Sequence, residues 1–356
     1  MVIGIDASAI LSSKKTGVEV VTTDLIKAIL RNDKINTYWL YSPSALPTDI
    51  IVNDRVTNIV IPGKRLWTQV YLRNALRKNP PNIFWSPSHI LPALPSQTKG
   101  VATIHDVAWY LLPQSYTWKN RLLSWLAVRR AIKRADHLIA VSQQTKRDLK
   151  KYFQVAGDNV AVIYHALRSD WSDDNTNPEL GDYLLFVGRI EFRKNILQLI
   201  KAFQGFVESH PQVKLVLAGS PGYGFNNVQK IIKRLRLSNN VVSLSYVPTK
   251  TLPGLYRHAL GVVYPSLYEG FGLTILEGFA AGVPVMTSNI GGTKEIAGDA
   301  ALLINPVDID EMNLGLHQLV DDQELRSSLI AKGKHRVKEF NWDLSAQKII
   351  DLWQHL

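Results

Sequence analysis

Residues 261–288 read GVVYPSLYEGFGLTILEGFAAGVPVMTS. The stretch opens with a short apolar run, GVVYPS, that suits a buried strand, and it closes with a second one, VPVMTS. Between them LTILEGFAAG has helical spacing, with Gly282 as a C-terminal stop and Pro284 beyond it. Strand, helix and strand in this order predict one repeat of a parallel α/β sheet. The loop LYEGFG then sits at a strand's carboxyl end and leads into a helix N-terminus. Gly270 and Gly272 let the backbone approach a ligand closely, and the helix start offers N–H groups to an anion. Glu269 lies in this loop and Glu277 about one turn into the helix.

The same alternation runs outward in both directions. Before residue 170, strands are predicted at VIGIDAS, TYWLYSP, NIFWSPS, GVATIHD, HLIAVS and VAVIYH, separated by helices such as GVEVVTTDLIKAILRN and WKNRLLSWLAVRRAIKRA. A polar stretch, RSDWSDDNTNPELGD, reads as a linker. From Asp182 a second series follows: YLLFVG, VKLVLAGS, VVSLSYV, GVVYPS, VPVMTS and ALLINP. The expected fold class is α/β, two Rossmann-like parallel-sheet domains facing each other across a cleft. The domains are 1–170 and 182–340, with a linker over 171–181. An amphipathic helix at 341–356 is expected to pack back towards the N-terminal domain.

Composition sets bounds on function. The 356 residues contain no cysteine, which excludes disulfides, thiolate nucleophiles and zinc–thiolate sites and fits a reducing compartment. No apolar run approaches the length of a spanning helix, and the N-terminus reads as a first strand rather than a signal peptide. The net charge of +11 is uneven: residues 1–170 carry 23 Lys+Arg against 11 Asp+Glu, and residues 171–356 carry 18 against 19. The two halves therefore meet different partners.

Three cues converge on one end of the second sheet. Carboxylates accept sugar hydroxyls well, and a glycine loop before a helix suits phosphate, so Glu269 and Glu277 beside Gly270 and Gly272 suggest a nucleotide sugar. Two solvated glutamates on a glycine-rich turn are the bland alternative. In YLLFVGRIEFRKNILQLIKAF, Gly188 ends a strand, Arg189, Arg193 and Lys194 occupy the next loop, and Asn195 stands as a helix cap, an arrangement suited to a diphosphate. In LVLAGSPGYG, Gly219 again sits at a strand end, consistent with close backbone approach to a nucleotide.

With these residues the chain resembles a retaining glycosyltransferase of family 4, the mannosyltransferase-like group 1 enzymes of GT-B architecture. The likeness is densest in FVGRIEFRKN, SYVPTKTLPGLYRHA, PSLYEGFGLTILEGFAAGVPV and GDAALLINPVD. The family's E-x7-E motif matches Glu269 and Glu277. The resemblance implies that Glu269 holds hydroxyls of the transferred sugar and Glu277 the nucleotide ribose. It implies that Arg189 and Lys194 neutralise the departing diphosphate, while the backbone at Phe271, Gly272 and Leu273 binds sugar or phosphate oxygens. Val247 would lie against the base. TIHD resembles a strand-end motif that brings His105 and Asp106 to the cleft as donor-sugar contact or proton acceptor. KKTGVEVV resembles the first glycine loop, with Gly17 near the diphosphate. The chain departs from the pattern at Val18-Glu19, where a second glycine is common, and at Ala166 and Ser245, where glycine is usual.

The implied reaction moves a hexose, mannose from GDP-mannose as first choice and UDP-glucose or UDP-N-acetylglucosamine behind it. The acceptor would be a glycan or a polyprenyl-diphosphate-linked glycan, as in bacterial surface polysaccharide synthesis. No cofactor and no metal is expected. Asp308 and Asp310 in VDID form an Asp-x-Asp pair, but they read as acidic residues at a helix start. His89 and His165 are weaker candidates for the cleft. The basic, aromatic stretches KRLWTQVYLRNALRK and WKNRLLSWLAVRRAIKR suit an anionic membrane surface or simply a solvated face over the domain's own sheet. No nucleic-acid module accompanies the charge. The expected location is the cytoplasm, with the inner face of the cytoplasmic membrane as the contact surface. The rivals are a same-fold epimerase or sugar phosphorylase, and a catalytically silent regulatory subunit of a transferase.

Overall fold

The computed structural model describes residues 1–12, 17–51 and 53–356. Its strands are β1 (Val2–Asp6), β2 (Thr37–Ser42), β3 (Val56–Val60), β4 (Ile83–Ser86), β5 (Lys99–Ile104), β6 (His137–Ala140) and β7 (Val160–Val162). They continue as β8 (Tyr183–Val187), β9 (Lys214–Ala218), β10 (Val241–Ser245), β11 (Gly261–Tyr264), β12 (Val285–Ser288) and β13 (Leu302–Ile304). The α-helices are α1 (Gly17–Asn32), α2 (Arg73–Lys78), α3 (Ala108–Leu111), α4 (Trp118–Arg134), α5 (Gln143–Phe153), α6 (Ile196–Ser209) and α7 (Phe225–Arg234). After them come α8 (Leu252–Arg257), α9 (Leu273–Ala281), α10 (Gly291–Ala297), α11 (Ile309–Asp321), α12 (Gln323–Arg336) and α13 (Trp342–Gln354).

Every strand pairing is parallel. The first sheet runs β3-β2-β1-β4-β5-β6-β7 and the second β10-β9-β8-β11-β12-β13. Central strands such as Leu184–Phe186 and Val262–Tyr264 are buried on both faces because helices cover both sides, which is why they read as unbroken apolar runs. β3 was not anticipated. It is an edge strand in which Thr57 and Asn58 interrupt the apolar pattern, so its periodicity is weak.

The chain forms two compact units, each built on one sheet. The first comprises Met1–Val107, Lys119–Arg168 and Asn341–Leu356, and the second Ala108–Trp118 and Ser169–Phe340. Within the first, α13 lies on α1. The Trp342 indole donates to the Leu167 carbonyl at 2.7 Å, and Ser345 Oγ donates to that of Tyr164 at 2.7 Å. Trp353 is fully buried against Tyr38 and Trp85. Within the second, residues 171–174 lie along α8: the Trp171 ring meets Tyr256 edge-on at 5.4 Å, and Arg257 donates to the Ser172 and Asp174 carbonyls.

Both sheets have a switch point where strand order reverses, between β1 and β4 in one and between β8 and β11 in the other. Sheets of this kind bind ligands at such points, in the crevice outside the strands' carboxyl ends.

Candidate functional site

At the second switch point the loops following β8 and β11 meet. Their junction is a buried cluster around Glu269. Lys194 Nζ donates to Glu269 Oε1 at 2.6 Å and also to the Tyr264 hydroxyl. Ser266 Oγ and the Tyr264 hydroxyl donate to the same oxygen at 2.7 and 3.1 Å. Arg193 Nη1 donates to Oε2 at 2.7 Å and to the Tyr268 carbonyl at 3.0 Å, while its Nη2 reaches Glu191 at 2.9 Å. Lys194 and Glu269 are only 6% and 8% exposed.

The electrostatics follow from that packing. Burial alone would raise the Glu269 pKa, but the charges of Arg193 and Lys194, with the Lys194 and Ser266 hydrogen bonds, outweigh it and bring it to about 2. Burial pushes Lys194 down, and the Glu269 charge opposes that shift. Glu269 thus stays ionised and holds both cations in place. Oε1 is saturated, whereas Oε2 keeps one lone-pair direction for a further donor.

Arg189 contrasts with its neighbours. It is exposed at the carboxyl end of β8, and among the described residues it makes no ion pair. A cation held without a carboxylate at this place suits an incoming anion.

The glycines divide into two uses. Gly272 precedes α9 with φ of 116°, a left-handed backbone that favours glycine at the start of the helix. Gly219 was read as a place for ligand approach, and the structure gives another reason. A Cβ there would lie 1.9 Å from the Gly188 carbonyl oxygen, so its bareness serves the packing of the β8 and β9 ends. Gly188 is that close neighbour. Asn195 precedes α6 with φ of 61° but does not cap it as expected; its Nδ2 donates to the Pro306 carbonyl.

Glu277 is half-buried on α9, where its Oε2 accepts from the Tyr256 hydroxyl at 2.6 Å. Thr274 Oγ1 donates to the Val187 carbonyl at 3.2 Å and ties the start of α9 to the end of β8. Gly270 and Phe271 are buried in the loop, Phe271 meeting Phe340 edge-on at 5.7 Å, and Leu273 opens the helix. Val247 is half-buried just after β10, two strands away from β8. Ser245 takes a left-handed φ of 52° at a register shift in β10, which accounts for the residue glycine usually fills there. Asp308 caps α11, its Oδ1 accepting from the amides of Asp310 and Glu311 at 3.0 and 2.9 Å. Sequence reasoning passed over Tyr264, Ser266, Glu191 and Tyr256. Hydroxyls at a strand end within five residues of Glu269 were the available signal.

In the first unit, His105 and Asp106 follow β5. His105 Nε2–H donates to the Pro87 carbonyl at 2.8 Å, and Nδ1 faces His165 Nε2 at 3.4 Å with the rings stacked at 5.4 Å. Both nitrogens are thus engaged within the unit. Burial lowers the pKa of His105, His165 and His89, so all three favour the neutral form. Gly17 is the exposed first residue of α1, and Lys14 to Thr16 of the expected glycine loop lie outside the described residues. Asp6, unremarked in the sequence, ends β1 at the switch point. It is buried, accepts from Ser8 N and Oγ, and has its pKa raised by burial.

The basic stretches differ from each other. Trp67 is buried and donates to the Ile61 carbonyl, whereas Tyr71 is exposed. The first two turns of α4 expose Trp118, Leu122 and Leu123 (68%, 48% and 64%) beside Lys119 and Arg121. No helix among the described residues is long and apolar enough to cross a membrane.

Known proteins are similar to this chain in sequence and in fold. Residues 168–336 match the model of glycosyl transferases group 1, and residues 15–170 that of glycosyltransferase family 4. The chain is 29% identical over 293 residues to O-antigen chain mannosyltransferase B of Escherichia coli, covering 79% of this chain and 76% of that one. In fold it is similar to sucrose-phosphate synthase from Thermosynechococcus elongatus, with a TM-score of 0.76 at 19% identity and coverage of 100% and 98%. It is similarly close to Anabaena Alr3699/HepE solved with UDP-glucose, with a TM-score of 0.72 at 18% identity and coverage of 100% and 99%.

Proposed function

The chain belongs to the group 1, family 4 glycosyltransferases of GT-B fold, and from that premise we propose that it transfers mannose from GDP-mannose to a glycan or polyprenyl-diphosphate-linked glycan. The observation that carries the reading is the cation arrangement at the second switch point. Lys194 and Arg193 are locked on Glu269, and Arg189 is exposed beside them. The sugar–phosphate bond at C1 breaks, a bond from C1 to the acceptor oxygen forms, and the electron pair leaves with the diphosphate. Cations and helix amides fixed in advance stabilise that charge without reorganisation. The acceptor hydroxyl's proton passes to the leaving phosphate on the same face, with retention of configuration and without a metal. Mannose is favoured by the Escherichia coli relative; a UDP-hexose is the second reading, favoured by the HepE complex with UDP-glucose.

The exposed turns of α4 support docking on an anionic bilayer, where a lipid-linked acceptor resides. Leu122 and Leu123 would enter the interface and Arg121 would meet the headgroups.

The test is a binding and turnover screen with GDP-mannose, UDP-glucose and UDP-N-acetylglucosamine, with and without EDTA, reading the product anomer by NMR. Selective, EDTA-insensitive use of GDP-mannose with an α-linked product is expected. Arg189→Ala should lower turnover ~10²-fold, the scale of losing one oxyanion donor. Turnover of nucleotide sugar without acceptor points to an epimerase. A folded protein that binds none of the three points to a regulatory subunit.

A further inference from the structure

A second cluster lies in the same unit, at the opposite end of α6 from Lys194. The 14 residues of α6 separate the two by roughly 20 Å. His210 follows the last residue of α6, and His317 and Asp321 stand one turn apart on α11. Their ligand atoms all lie within 4.8 Å of one another. His210 Nε2 is 2.9 Å from Asp321 Oδ1, and His317 Nδ1 is 3.3 Å from Asp321 Oδ2.

A hydrogen-bond partner on its own helix orients the His210 ring. Ser209 Oγ lies 2.9 Å from His210 Nδ1 and within 3.1 Å of the Phe206 carbonyl. That contact leaves Nε2 as the ring nitrogen turned towards Asp321 Oδ1. The Ser209 contact is the kind of outer partner that orients a metal-binding imidazole. Phe206 is fully buried behind both rings, parallel to His210 at 4.5 Å and 5.0 Å from His317, and gives the site a rigid apolar floor.

We propose that His210, His317 and Asp321 bind a divalent ion of the zinc class and clamp the end of α6 to α11. Two imidazoles and one carboxylate suit zinc, cobalt or nickel rather than calcium or magnesium, and they leave one tetrahedral position for water. The role is structural: the ion lies away from the switch point and takes no part in sugar transfer.

The test uses the untagged full chain, stripped with chelator and dialysed at pH 7.5. Zinc binding is read by calorimetry, cobalt(II) geometry by its visible spectrum, and the thermal midpoint with and without ion. The chain has no cysteine, so no thiolate competes. One ion per chain, a tetrahedral cobalt spectrum and a raised midpoint are expected. His317→Gln and Asp321→Asn should each weaken binding at least tenfold. His335→Gln, which removes the pair between exposed His335 on α12 and Glu339 just beyond that helix, should leave it unchanged. Circular dichroism checks that each variant is folded. No saturable binding in the wild type overturns the proposal and leaves a plain His210–Asp321 hydrogen bond. Binding that survives His210→Gln together with His317→Gln overturns it equally. Because EDTA would lower the midpoint without touching turnover, this outcome is separable from the donor screen.

Discussion

Replacing Glu269 by glutamine removes the one charge that pairs with both Lys194 and Arg193 at the switch point and keeps the side chain's size. The cost can be approached in two ways. The carboxyl titrates near 2 against an ordinary 4.5, a gap worth about 3 kcal/mol at ~1.4 kcal/mol per pH unit. Breaking one partner out of a buried ion pair typically costs about 3–5 kcal/mol, because the other charge stays buried and alone. Both routes give a loss of about 3 kcal/mol for Glu269→Gln. Guanidinium unfolding of the second unit near neutral pH measures it. The sign with pH is also determined. The folded pKa lies below the unfolded one, so the contribution is complete above about 4.5 and fades as pH falls towards about 2. The gap between wild type and variant should therefore narrow over that window. Adding Lys194→Met should cost far less in the Glu269→Gln background than in wild type, since the lysine has by then lost its counter-charge. A loss under about 1 kcal/mol, or additive single and double variants, would refute the picture of Glu269 as the anchor of the cation pair.

Other outcomes follow from the same geometry. Gly219→Ala forces a Cβ onto the Gly188 carbonyl, so the β8 and β9 ends must part; donor affinity should fall with Arg189 displaced, as calorimetry with nucleotide would read. Ser245→Gly relieves a left-handed residue whose strain is about 1–2 kcal/mol; chain entropy takes back part of it, for a net gain of up to about 1 kcal/mol in denaturant melts. The first unit should lose stability as pH drops below about 6.5. His105 and His165 are held neutral in the folded state while the unfolded chain takes up protons there, and His165→Gln should flatten that dependence.

Much of the fold is legible from apolar runs alone. The strands from VIGID to LLI stand out because helices cover both faces of each sheet and leave no polar alternation to confuse the pattern. β3 escapes because an edge strand buries little, and its Thr57 and Asn58 look like loop residues. At the site, the spacing of Glu269 and Glu277 and the cations after Gly188 were visible. What Glu269 touches was not. Lys194 lies 75 residues away in the chain, and only the adjacency of β8 and β11 brings it within 2.6 Å.

By itself the sequence determined the repeating βαβ order, the placing of charge and glycine at strand ends, and the family to which these motifs belong. Those are local properties, written in periodicity and in residues that must sit at a loop. The tertiary structure alone decided how the charges are spent. It paired Glu269 with two cations and left Arg189 exposed, turned His105 towards His165, and gave Gly219 a packing role. It also brought His210 to His317 and Asp321, more than a hundred residues on. Charge pairing and close packing depend on which strands and helices become neighbours. That choice is made by burying the whole sheet, and no window of the chain contains it.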